Sequence, residues 1–198
     1  MSPRIPDSTT GKILEDEYFG RVDVSGAKAA TARKLFMKLS NGETPEQARG
    51  RLSFANGIRF VKALQPWADP TSPKRKVARD LLDFVCEELG IDPESDEAQE
   101  VKFFTSVGSP LDLHGVDALI EYRGARVLID VTKNPAKRFD DSIGDRMIME
   151  ELPDWNEPSQ RANYTEELRK YSRHIAGILH ESLEQRRERE RAGMPSLR

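Results

Sequence analysis

Two aspartates stand inside runs that otherwise ask for burial. In "GVDALIEYRGARVLIDVTK", residues 115–133, two short apolar stretches flank an Arg-Gly pair, and Asp117 interrupts the first while Asp130 interrupts the second. If both stretches are strands, side chains alternate between faces, so Asp130 shares a face with Thr132 while Val131 and Lys133 take the other. Two neighbouring strands then bring Asp117 and Asp130 within reach of one ion. Carboxylates on adjacent strands suit Mg²⁺ or Mn²⁺, which take one or two protein oxygens and fill the remaining positions with water and substrate phosphate. Without a cation, two buried carboxylates repel and one keeps a proton. The competing reading of either residue alone is a strand-end aspartate that is solvated or caps a loop. His114, three residues before Asp117, stands where a ligand or general base can sit; a loop histidine bonded to backbone is the commoner outcome. Cys86 is the only cysteine and falls on the apolar side of an expected helix, as a structural thiol does. His174 and His180 are six residues apart on one expected helix, the wrong spacing for a shared metal.

The elements around these residues can be read from periodicity and breakers. Pro73 precedes "KRKVARDLLDFVCEELG", whose Val77, Leu81, Phe84, Val85 and Leu89 share one helical face, with Gly90 just past the end. An acidic loop leads to "VKFFTSV", rich in strand formers, and then to "GVDALIEY" and "RVLIDVT" joined by "RGA". Asn134-Pro135 ends the third strand, because proline cannot join a central ladder. "DDSIGDRMIMEEL" is expected to be helical. A proline-flanked linker leads to a long terminal helix over 159–192, with Tyr164, Leu168, Tyr171, Ile175, Leu179 and Leu183 at steps of three and four.

A helix, a strand, a strand with Asp117 and a strand with Asp130 followed closely by lysine together resemble the PD-(D/E)XK nuclease superfamily over about residues 73–150, within an expected α/β core of 73–152. The resemblance implies an α/β, restriction-endonuclease-like core: a helix, a mixed sheet of three or more strands, and a helix. It implies a Mg²⁺ or Mn²⁺ cofactor held by Asp117 and Asp130, with Glu87 or Glu88 of the preceding helix as a further ligand, and hydrolysis of DNA phosphodiesters. The lysine expected two places after the second acid is Thr132 here, so Lys133 and Lys137 become the catalytic candidates. Lys133 needs a bulge to face the site, whereas Lys137 follows Pro135 and can swing in. An ammonium there would lower the pKa of attacking water and offset charge on the transition state.

Charge is unevenly spread. The chain of 198 residues is −3 overall, yet Gly26 to Arg79 holds twelve basic residues against three acids, a segment that invites a polyanion. Residues 1–25 show no sustained periodicity and are expected to be loose. Residues 26–66 are expected to form three helices in a helix-turn-helix-like module: one from Lys28, a short one opened by Thr44-Pro45-Glu46-Gln47, and one over "NGIRFVKALQ". Ile58 and Val61 then face inward, and Arg49, Arg51, Arg59 and Lys62 are the DNA-binding candidates, phosphate neutralisation supplying most non-specific affinity. A tri-helical bundle with no DNA role competes with this. No apolar run is long enough for a membrane span, the start lacks the apolar core of a secretory signal, and the expected location is cytoplasmic. Two other functions stay open: a nucleic-acid-binding protein on the same fold without catalysis, and an assembly protein that forms a homodimer through the terminal helix. That helix's stripe is more often packed on its own domain.

Overall fold

A computed structural model describes the backbone of residues 8–132 and 146–193, with side chains from residue 13 onward. The hairpin forms as its turn chemistry requires. Strands β2 (Ala118–Tyr122) and β3 (Ala125–Thr132) run antiparallel, Tyr122 opposite Ala125. Arg123 and Gly124 both take positive φ, 49° and 85°, the pairing that a two-residue hairpin turn needs to match strand twist. Strand β1 (Val101–Thr105) lies antiparallel on the far side of β2, and β4 (Arg146–Glu150) lies parallel to β3, giving a four-stranded mixed sheet in the order β1-β2-β3-β4.

Strand β4 corrects the helix expected for "DDSIGDRMIMEEL": residues 146–150 are extended, with Met147 and Met149 buried on alternate positions. The three-residue apolar run Met147–Met149 fits either period, and pairing with β3 decides it. Residues 140–145 of that helix lie outside the described residues.

Alternation along the strands divides the core between the two sheet faces. Phe103, Ile120, Val127, Ile129 and Val131 meet helices α1 (Ser8–Phe19), α4 (Lys76–Glu88) and α5 (Arg161–Arg191). Phe104, Leu119 and Leu128 meet α2 (Ala29–Leu39) and α3 (Phe54–Ala63). Helix α5 buries Tyr164, Leu168, Ile175 and Leu179 against this chain's own α4 and sheet. The stripe that a homodimer through α5 would use is therefore occupied within the chain. None of the described helices is long and apolar enough to cross a membrane.

The N-terminal region differs from expectation in three ways. Residues 8–19 are not loose but form α1, anchored by Leu14, Tyr18 and Phe19. The short middle helix does not form. Thr44 and Gln47 do make the reciprocal capping bonds, Thr44 N–H to Gln47 Oε1 at 2.8 Å and Gln47 N–H to Thr44 Oγ1 at 3.3 Å. Arg49 and Gly50 then turn to φ 51° and 70°, which ends helical propagation after one turn. Helix α3 starts earlier than its apolar period suggests, at Phe54, because the Ser53 side chain caps it by accepting from Asn56 N–H at 3.4 Å. Ile58 and Val61 do face inward, but toward the sheet, so α2 and α3 share their core with it.

Candidate metal centre

Asp117 stands one residue before β2, where the hairpin ladder leaves its register. Its N–H donates to the Ile129 carbonyl (2.8 Å), and its Oδ2 accepts the Val131 N–H (2.7 Å), so side chain and main chain grip β3 on both sides of Asp130. The capping alternative thus holds for one bond but not for solvation: Asp117 and Asp130 are each only 3% exposed. Gly115, at φ 68°, leaves room beside Asp130, whose Oδ2 would lie 3.7 Å from a Cβ there.

Two further carboxylates reach Asp117 from other elements. Asp112, in the β1–β2 loop, is held by the Gly108 N–H (2.8 Å to Oδ2). Glu15 comes from α1, whose end is tied to the sheet by Thr105 Oγ1 donating to the Gly20 carbonyl (2.7 Å) and by Val22 N–H to the Val107 carbonyl (3.0 Å). One oxygen from each of Glu15, Asp112 and Asp117 lies within 4.8 Å of the others, close to twice the ~2.0–2.6 Å at which hard cations hold oxygen. Burial, then the Glu15 charge, and more weakly Asp130 and Asp112, push the Asp117 carboxyl up to about 8 against the lowering bond from Val131. Such crowding of acids is relieved by a proton or by a divalent cation.

The helix glutamate in this group is therefore Glu15, not Glu87 or Glu88. Glu87 pairs with Arg169 at 2.9 Å and Glu88 with Arg173 at 3.6 Å, both across the α4–α5 contact. Glu15 gave no signal in the sequence, because the apolar residues of α1, Leu14, Tyr18 and Phe19, are too few to show a period. Asp112 gave no periodic signal at all, since it sits in a loop. Thr132 is buried at the position where the lysine was expected, and Lys133 and Lys137 lie outside the described residues. His114 is structural: its Nε2 is 2.9 Å from the Leu52 carbonyl and its ring meets Phe54 edge-on at 5.9 Å. Cys86 is buried, and burial pushes its thiol up to about 11, as befits an inert packing residue.

Of the basic candidates, Arg49, Arg51 and Arg59 are exposed. Lys62 is committed elsewhere: its Nζ pairs with Glu121 at 2.5 Å and lies 5.5 Å over the Phe104 ring. Comparison of the chain with protein-family models, curated proteins and solved structures finds no match.

Proposed function

We propose that this chain is a metal-dependent DNA phosphodiesterase of the PD-(D/E)XK kind, acting inside the cell. The observation that carries the reading is the convergence of Glu15, Asp112 and Asp117 from a helix, a loop and a strand entrance on one small volume, with Asp130 buried beside them. Glu15, Asp112 and Asp117 would hold Mg²⁺ or Mn²⁺, which when bound supplies a more acidic water and stabilises charge on a phosphoryl oxygen. The chain's own contribution is positional. The Gly108 and Val131 N–H groups each hold one oxygen, Oδ2 of Asp112 and Oδ2 of Asp117, and so fix the two carboxylates in place. Arg49, Arg51 and Arg59, exposed on the α2–α3 side, would meet phosphates flanking the cut.

Purified protein with Mg²⁺ or Mn²⁺ is expected to cut DNA, and Asp117→Asn or Asp112→Asn to abolish cutting while leaving the fold intact. Cleavage that survives both substitutions would sink the proposal. A protein that binds DNA with a salt slope but cuts neither duplex, single-stranded nor branched DNA is instead the catalytically silent binder, a reading that the threonine at position 132 favours.

A further inference from the structure

We infer that a cleft beside the carboxylates receives one unpaired nucleotide of the substrate, its base against an apolar floor and its phosphate under Arg21. This rests on the phosphodiesterase reading and names the form of DNA that such a centre takes. The cleft, of about 450 Å³, opens between α2 and the β1–β2 loop, and Glu15 and Asp112 are part of its wall. Its volume falls in the range of small-ligand sites, and whatever occupies it lies against two of the three grouped carboxylates.

The lining is suited to a flat, apolar body with an anion at one end. Ala32, Phe36 and Phe60 form the floor, the two rings meeting edge-on at 6.2 Å. Among the described residues three large hydrophobics are well exposed, Ile13, Val24 and Leu113, and the last two stand on this rim, 40% and 60% exposed. Nucleobases stack on aromatic side chains without regard to sequence, and Phe36 and Phe60 are the aromatic residues on this lining. The anion end is marked by Arg21. Its guanidinium lies across Gly108, where a Cβ would come within 2.8 Å of Nη2, and it has no acidic partner among the described residues. Arg33 also lines the cleft, but its two nitrogens are engaged by Glu46 at 2.8 and 3.0 Å. A base enters such a pocket only after leaving its stack, which costs least where it is already unpaired. Splayed ends and single strands are therefore the preferred substrates.

The test uses the full chain with Mn²⁺ and thymidine 5′-monophosphate, which has no diester to cut. Calorimetry is expected to show it binding at least tenfold more tightly than thymidine or inorganic phosphate alone. Arg21→Ala should remove most of the gain over thymidine, and Ala29→Phe, on the cleft's lining, should block the nucleotide altogether. If Ala29→Phe does not fold, Leu113→Ser on the exposed rim replaces it and should weaken binding several-fold. In cleavage assays splayed or single-stranded DNA should be cut at least tenfold faster than closed circular duplex, with the preference lost in Ala29→Phe. Equal cutting of both forms, or nucleotide affinity no better than that of phosphate, overturns the inference and leaves the phosphodiesterase reading standing. Nucleotide binding without cleavage of any DNA does the reverse.

Discussion

A carboxyl group that is almost wholly buried beside other acids must respond to pH in a defined direction. Folded Asp117 keeps its proton to about pH 8, whereas the unfolded chain releases it near 3.8. The native state therefore binds the extra proton between those values, and metal-free stability should fall as pH rises through them. Denaturant melts between pH 5 and 8.5 check this, and Asp117→Asn, which has no proton to lose, should flatten the decline. A divalent cation must displace that proton, so Mn²⁺ affinity should rise by up to about tenfold per pH unit below 8 and level off above it. At the basic face the residue scale separates two neighbours on α3. Arg59→Ala should lower the salt slope of DNA binding by about one, as expected for one phosphate contact. Lys62→Ala should leave the slope unchanged, because its ammonium is held by Glu121.

At the scale of elements, two packing contacts can be tested directly. The Tyr18 hydroxyl of α1 accepts the buried Leu152 N–H at 2.7 Å, and Tyr18→Phe strands that donor, costing roughly 1–3 kcal/mol. Leu168, fully buried in α5, should cost about 2–5 kcal/mol when cut to alanine, and sedimentation of the wild type should show no association that depends on this stripe. The elements that could be read from sequence are those whose signal is repeated. Helix α4 and helix α5 carry several turns of one apolar face, and the hairpin combines alternation with a turn that tolerates positive φ. Elsewhere a local signal is overruled by the next residues in the chain. The Thr44–Gln47 capping pair is a true helix start, but Arg49 and Gly50 leave the helical region at once. The few apolar residues of α1 and β4 span too little chain for their period to be distinguished. The site was half legible for the same reason: Asp117 and Asp130 broke a visible pattern, whereas Glu15 lay on a helix that showed none and Asp112 in a loop with no period to break.

Across the whole molecule, the carboxylate group joins α1 to the distant β1–β2 connection, so a cation bound there should act on global stability. At a hundred times its dissociation constant it would add about 2.7 kcal/mol, seen as a rise in melting temperature that Glu15→Gln and Asp112→Asn each reduce. The arrangement also bears on how long a cation stays. Glu15 and Asp117 are about a hundred residues apart in sequence, and among the described residues α1 is tied down by the bonds of Tyr18, Gly20 and Val22, by the Asp16–Arg75 ion pair and by the burial of Leu14, Tyr18 and Phe19. A helix that makes no ladder bonds to the hairpin can open as a separate unit while β2 and β3 stay paired. If an ion is held there, each opening would withdraw one oxygen ligand, and its residence time would be limited by the opening rate of α1 and not by unfolding of the sheet. Amide exchange along Leu14 to Phe19 should then slow on adding Mn²⁺, while exchange in β2 and β3 stays as it was.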